Sequence, residues 1–502
     1  MDSMLLAALV LIPLLSLLVE RSKGKSISKK TPLLPSPRKL PFIGNLHQMG
    51  LLPHRSLFKL SKKHGPLMLL QLGSVPTLIV SSPSVAQKIV RKHDLIFASR
   101  PSLKASRMLF YNNNDIAFAP YGEYWRQMKK VCVTNLLSLK MIKSFSLVRM
   151  EEVSLMMERI SRIASTNKGV VCMSEILNSF TCNVIFKSLF GSSLSQEKRE
   201  HLCEFIREST VLFGEVFLED YFPGLRWLDV LMGLEGKLRR QFEKWDILLG
   251  DFIQDHIVRF NDGEITSNTN LINVMLQLQK NSSMEFVLTN EHIKAILLDM
   301  IAGGTDTSFA TLDWSMAELI RNPDVMKKVQ NEVRETAHGK EIVEEKDLDK
   351  LDYMRAVIKE VLRLHPPVPL LLPRESLQDC QIQKYHISKG TKVLINAWAI
   401  GRDDVYWKEA QEFKPERFLG SAVDYKGNDF HYIPFGSGRR ICPGMQFAVA
   451  IVELALANLL HRFNWELPSG NSCDGMDMLE GEGITSVRKE KLELVPIAIK
   501  HT

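Results

Sequence analysis

The segment from Asn290 to Arg321, "NEHIKAILLDMIAGGTDTSFATLDWSMAELIR", reads as one helix: apolar residues recur at helical spacing and no proline intervenes before Pro323. At the ordinary helical rise it runs for about 50 Å, enough to cross a whole domain. The remaining chain must be disposed around it. In its middle stand Gly303 and Gly304, each costing up to ~1 kcal/mol against alanine, and then the poor helix formers Asp306, Thr307 and Ser308. A central helix weakened at mid-length implies that something approaches its backbone there. The competing reading is a packing contact or a neutral kink.

The 502 residues exceed what one hydrophobic core usually organises, so one large enzyme domain or two closely packed lobes are expected. Pro32, Pro35, Pro37 and Pro41 mark an extended spacer. "PLMLLQLGSVPTLIVSS" alternates apolar and β-branched residues around turn formers and predicts a small sheet. From about Ser84 the pattern is mostly helical, with β-like stretches near Gln381 to Ile395 and at the C-terminus. The expected fold is mainly α with minor β.

The formal net charge of +7 is local: seven Lys/Arg and no acidic residue lie between Arg21 and Lys39, and without them 57 basic residues face 57 acidic ones. A neutral body gives no nucleic-acid footprint. Met4 to Val19 is uncharged and apolar, with basic residues after it rather than before it. That asymmetry favours a retained signal-anchor over a cleaved signal peptide and places the body on the cytosolic side of a membrane. The division expected is a transmembrane helix over 1–20, a basic and proline-rich linker over 21–45 and the globular body over 46–502. Of the seven cysteines, Cys132, Cys172, Cys182, Cys203, Cys380 and Cys473 show no metal spacing and read as small core hydrophobes. The sequon at Asn281 is expected to be unused on the cytosolic side.

Cys442 differs. It lies in "FGSGRRICPG", before the apolar run "MQFAVAIVELALANLL". Pro443 is suited to the first position of a helix, so the sulfur is expected beside unpaired N–H groups that lower its pKa. Gly436, Gly438 and Gly444 clear space around it, and Arg439 and Arg440 offer donors to carboxylates. A haem whose iron takes the thiolate and whose propionates take guanidinium fits this set. A dinucleotide loop does not, because Ile441 stands where its last glycine is required.

The stretch resembles the haem-binding signature F-x-x-G-x-R-x-C-x-G of the cytochrome P-450 superfamily at Phe435, Gly438, Arg440, Cys442 and Gly444. Other landmarks follow the family's order: Trp125-Arg126, the Gly303 to Thr307 stretch of the long central I helix, Glu360-x-x-Arg363, and Pro415 to Phe418. The match runs from the membrane anchor to the C-terminus and resembles the plant A-type microsomal group. It implies the P-450 fold, haem b (protoporphyrin IX iron) with Cys442 as axial ligand, and Trp125, Arg374 and Arg440 on the propionates. Phe435 and Gly444 belong to the same cofactor-binding loop. Lys129 stands where the family usually has arginine; it takes either a propionate or a place on a basic surface that docks the electron donor. Asp306 would relay protons and Thr307 would hydrogen-bond dioxygen, although a threonine there can instead bond the carbonyl one turn back.

By the same resemblance, the loop from Ser102 to Phe118, the region from Val211 to Phe222, Ile301, Ala302, the segment Val368 to Leu372 with Leu371, and Ile484 line a substrate cavity. Their apolar character implies a lipophilic substrate. The expected activity is NADPH- and O2-dependent oxidation of a specialised metabolite, a terpenoid by preference, at the endoplasmic reticulum membrane, with NADPH–cytochrome P-450 reductase as partner. The alternatives are an O2-independent haem-thiolate isomerase or dehydratase, and a haem gas sensor.

Overall fold

The computed structural model describes residues 32–499 apart from 167–168, 192–195, 262–269, 281–285, 471 and 474. The anchor, the first part of the linker (21–31) and the sequon at Asn281 lie outside the described residues.

The described chain opens with α1 (Pro53–His64) and the hairpin β1 (Leu67–Leu72) and β2 (Val75–Val80). A helical body follows: α2 (Lys104–Leu109), α3 (Glu123–Val131), α4 (Ser146–Ala164), the short strand β3 (Val171–Cys172), α5 (Met173–Phe190), α6 (Gln196–Gly214), α7 (Leu234–Asn261), α8 (Asn290–Arg321) and α9 (Asp352–Leu364). Then come β4 (Arg374–Glu375), β5 (Cys380–Ile382), β6 (Tyr385–Ile387) and β7 (Lys392–Ile395). The chain closes with α10 (Met445–Arg462), β8 (Phe463–Glu466) and β9 (Glu493–Ala498). One sheet has the order β1-β2-β7-β4, with β2 and β7 parallel and the outer pairs antiparallel; a second has the order β3-β9-β8.

The long segment read from sequence is α8, unbroken from Asn290 to Arg321. It starts at a reciprocal cap: Thr289 Oγ1 accepts the His292 N–H at 3.3 Å, and His292 Nδ1 accepts that of Thr289 at 3.2 Å. It ends at Asn322, where Pro323 begins the next helix. From Ala310 to Ile320 every residue is buried, as an axial helix requires. The two glycines divide the readings offered for them. A Cβ on Gly304 would lie 2.5 Å from Ile185 Cδ1, so this glycine lets α5 pack close. A Cβ on Gly303 would meet no protein atom within 4 Å; Gly303 and Ala302 are exposed, but to an internal cavity.

α10 is apolar enough by composition to cross a membrane, yet 67% of it is buried inside the protein, which makes it a core helix. The expectation of unpaired core cysteines needs one correction. Cys182 on α5 and Cys203 on α6 form a disulfide. Their separation of 21 residues carries no motif, so only the packing of the two helices reveals the pair. Cys132 does behave as a buried core residue.

Candidate active site: a cysteine-floored cavity

One cavity of about 370 Å³ lies between α8 and the loop before α10. It gathers the single residues singled out above: Asp306, Thr307, Trp125, Lys129, Arg374, Phe435, Arg440, Cys442, Gly444, Ile301, Ala302, Val368, Leu371 and Ile484. Residues more than 300 positions apart in sequence therefore share one space.

The cysteine loop is shaped by its backbone. Gly436 and Gly438 both have φ +71°, which glycine adopts without strain, and a Cβ on Gly438 would lie 2.6 Å from Val90 O. These two glycines serve the turn, whereas Gly444, with nothing within 4 Å of a Cβ, opens space beside the sulfur. The loop closes through Cys442 N–H to Phe435 O at 3.0 Å. α10 begins at Met445 with Gly444 as its cap, later than Pro443 led us to expect, and the N–H groups of Gly444 and Met445 turn to the sulfur.

A further correction concerns that sulfur. Burial pushes the Cys442 thiol up, and the Gly444 N–H, the Lys129 ammonium and the Met445 N–H oppose this without overcoming it. A helix start alone does not make the thiolate here; a coordinating metal ion would, since it displaces the proton outright.

Guanidinium groups crowd another wall. Arg440 lies 4.1 Å over the Trp125 ring and donates to Ala98 O at 2.7 Å and Ala119 O at 2.6 Å. Arg374 donates to Ser437 O at 2.8 Å, and its nearest carboxylate, on Asp94, is 4.0 Å away. Arg100, absent from the sequence reading, joins them with bonds to Ala117 O, Leu372 O and Pro373 O at 2.9, 2.7 and 2.9 Å. Burial and then mutual repulsion push Arg100 down, and Arg440 is held to about 9 for the same reasons. Lys129 is half-buried, bonded to Arg439 O and 5.2 Å over Trp125, and burial followed by Arg440 brings it to about 8. Lys130 is the exposed neighbour.

On α8, Thr307 Oγ1 donates to Gly303 O at 2.6 Å, so its hydroxyl is bonded one turn back. Asp306 accepts from Thr210 on α6 at 2.5 Å; burial raises its carboxyl, and the Thr210 bond and Arg207 draw it part of the way back. Below the cavity, Arg363 grips Glu360 through two bonds of 2.7 and 2.8 Å, and Arg417 Nε reaches Glu360 at 2.9 Å. Arg363 also ties down the carbonyls of Gly401 and Ala410, which braces the chain leading into the cysteine loop.

The profile of the cytochrome P450 family matches residues 34–493. The chain belongs to the cytochrome P450 family. A P450 named 71A1 from Persea americana is 50% identical over 456 residues, covering 90% of this chain and 91% of that protein. Premnaspirodiene oxygenase of Hyoscyamus muticus is 44% identical over 495 residues, with 98% and 97% covered. Strychnine-11-hydroxylase of Strychnos nux-vomica is 45% identical over 480 residues, with 95% and 94% covered. A zebra fish cytochrome P450 solved with abiraterone superposes with a TM-score of 0.75 at 25% identity, covering 90% of this chain and all of that one. The chain is thus a P450 monooxygenase, an oxidoreductase that carries haem b and works with a reductase, O2 and a lipophilic substrate.

The cavity fits that cofactor by its own chemistry. A P450 haem brings an iron that takes a thiolate and two carboxylates that take cations. The cavity supplies one sulfur beside the cleared position at Gly444, and three buried guanidiniums held mainly by backbone carbonyls. Arg100 gave no signal in sequence because no motif surrounds it; only the fold brings it to Arg440. Of the region Val211 to Phe222, Phe213 alone lines the cavity. Val211 is exposed, and Tyr221 turns to the β1–β2 hairpin, where its carbonyl accepts from Ser74 N–H.

Proposed function

We propose that this P450 inserts one oxygen atom from O2 into a lipophilic specialised metabolite, a terpenoid by preference, using electrons passed from NADPH by a reductase. The observation that carries the substrate side is an aromatic wall. Phe118 lies 5.7 Å from Phe110 and 5.0 Å from Phe213, and Phe110 lies 5.9 Å from Phe213, all facing the cavity with Ile301, Val368 and Ile484. Such a wall excludes water and binds apolar surface with little directional demand. Relatives of nearly equal identity are named for different substrates, premnaspirodiene and strychnine. The substrate is therefore set by these lining residues rather than by the family.

When bound, the haem supplies oxygen activation at its iron. This chain's own residues have the remaining work. Cys442 holds the cofactor through its sulfur, while Arg100, Arg374, Arg440 and Trp125 orient it at its carboxylate edge. Lys129, half-buried against Arg439 O, adds a point charge there. Asp306 holds a proton on α8, and Thr307 passes it into the cavity once its hydroxyl turns from Gly303 O. Exposed Lys130 and Arg439 form a basic rim suited to an acidic reductase. Residues 1–20 anchor the protein in the endoplasmic reticulum membrane, 21–45 link, and 46–502 form the catalytic domain facing the cytosol.

The test is reconstitution with reductase, NADPH and isotopically labelled O2 over a panel of terpenoids and alkaloids. We expect an NADPH-dependent product carrying one labelled atom, from a terpenoid. Turnover without NADPH would indicate an isomerase or dehydratase. A spectral response with no product would indicate a sensor, and turnover confined to alkaloids would remove the terpenoid reading.

A further inference from the structure

The segment from Asp115 to Ala119, between α2 and α3, is held on both of its backbone edges by ionisable side chains. Its carbonyls face the cofactor-edge donors: Ile116 O accepts from Trp125 Nε1 at 3.0 Å and from Arg440 Nη1 at 3.2 Å. Ala117 O accepts from Arg100 Nε at 2.9 Å, and Ala119 O from Arg440 Nη2 at 2.6 Å. Its N–H groups face carboxyls instead. Asp299 Oδ2 accepts from Ile116 N–H at 2.6 Å and Ala117 N–H at 3.4 Å, and Asp115 Oδ2 accepts from Phe118 N–H at 2.9 Å. Asp299 stands on α8 one turn before Gly303 and lines the cavity.

Asp115 is fully buried, and Asp299, half-buried where it lines the cavity, is bonded to the next two N–H groups of the same segment. Asp115 Oδ1, fully buried, receives no hydrogen bond, and so leaves an acceptor open for a proton carried by Asp299. Two ionised carboxylates so placed repel; one proton between them turns that repulsion into a hydrogen bond.

We propose that Asp115 and Asp299 form a proton-sharing pair that latches the 115–119 segment to α8 and thereby aims Arg100 and Arg440 at the cofactor edge. Both are positioning residues. The aiming half of the proposal rests on the reading of those two guanidiniums as propionate donors; in this structure the single N–H of Trp125 is taken by Ile116 O. Burial raises both carboxyls, and the neighbouring Asp115 raises Asp299 further, so the proton sits on Asp299. The other ionisable groups facing the pair are Arg440 from the cysteine loop, Arg100 ahead of α2, Tyr124 on α3 and Cys132 just after it. Burial pushes Tyr124 and Cys132 up, so both stay neutral at neutral pH, and the guanidiniums keep their protons there. The pair is then the group whose protonation is at stake.

The sign follows. The folded protein binds a proton that an unfolded aspartate, with a pKa near about 4, releases. Through this pair the folded-to-unfolded ratio falls with rising pH, by up to about tenfold per pH unit. Asp299→Asn mimics the protonated acid: its amide donates to Asp115 while its oxygen still accepts from Ile116. Asp299→Ala removes the latch.

The experiment compares both variants with the wild-type holoenzyme between pH 6 and pH 8. It reads hydrogen exchange in the peptide spanning residues 112–120, thermal unfolding, and the rate of haem loss to excess apo-globin. We expect Asp299→Asn to keep wild-type exchange protection while losing the pH slope of one proton. In Asp299→Ala, exchange and haem loss should both accelerate, by about tenfold for one charge-assisted bond lost. Exchange in Asp299→Asn as fast as in Asp299→Ala, or an unchanged pH slope in Asp299→Asn, overturns the shared proton. Faster exchange with wild-type haem retention overturns the aiming of the arginines, and with it the propionate reading, while leaving the latch. If Asp299→Ala does not accumulate folded, the slope and protection of Asp299→Asn decide the question.

Discussion

At Asp306 burial and a single hydroxyl act in opposition. The side chain is raised by desolvation and drawn back by the Thr210 bond at 2.5 Å, so α6 reaches into the acidity of an α8 residue. Thr210→Val should raise Asp306 further, moving the pH midpoint of coupled turnover up by about one pH unit for a charge-assisted bond. The ratio of product to peroxide against pH measures this; an unmoved midpoint means that the bond does not govern the proton. The same shift has a stability side. The folded chain retains a proton here that the unfolded chain releases, so stability is greater at low pH and falls as pH rises from about 4 towards the raised folded value. Asp306→Asn should flatten thermal unfolding across that window. Thr307→Ala should raise peroxide release, since it removes the hydroxyl that follows Asp306 on the cavity wall; unchanged coupling would leave Thr307 as a carbonyl-bonding residue only. At this scale the sequence exposed residues that sit in contiguous motifs, Cys442 and Asp306 among them. Arg100, Thr210 and Asp299 were hidden because their partners lie far along the chain, on Ala117 and Leu372, on Asp306, and on Ile116.

Within α8, adjacent glycines predict opposite outcomes. Gly304→Ala drives a methyl into Ile185 and should cost about 1–3 kcal/mol, recovered in part by Ile185→Ala. Gly303→Ala meets no protein atom and should gain up to about 1 kcal/mol of helix stability while filling the groove, so the protein unfolds later but turns over more slowly. Chemical denaturation with parallel turnover assays separates the two; equal destabilisation in both would contradict the division. Arg363→Ala leaves Glu360 with Arg417 as its remaining cation, strands the Gly401 and Ala410 carbonyls in the interior and should cost about 3–5 kcal/mol. Helix α8 was legible because nothing interrupts its pattern and Pro323 ends it. The start of α10 lies two residues beyond Pro443, while the expected N–H groups beside the sulfur, those of Gly444 and Met445, are where the sequence put them. The Cys182–Cys203 pair was invisible because it depends on how α5 meets α6.

Over the whole molecule, the exposed basic groups lie apart from the apolar wall of the cavity. Basic residues cluster before the body, Lys130 and Arg439 lie on the rim behind the cysteine loop, and the cavity carries an aromatic and aliphatic wall beside its buried guanidiniums. Reductase-dependent turnover should therefore weaken as salt screens the rim, while substrate binding stays nearly constant. Salt-independent electron transfer would place docking elsewhere. The architecture was readable because ordered motifs span the chain; the substrate was not, because its cavity is assembled from single apolar residues on separate elements that a core would also use. The central claim is that Cys442 is the sulfur on the haem iron, in a cavity that aims Arg100, Arg374 and Arg440 at the propionates. It is tested most directly by the carbon monoxide difference spectrum of the reduced protein, recorded beside Cys442→His. The account predicts a strongly red-shifted Soret band in the wild type that moves to short wavelength in the variant. The same red-shifted band in both would contradict it.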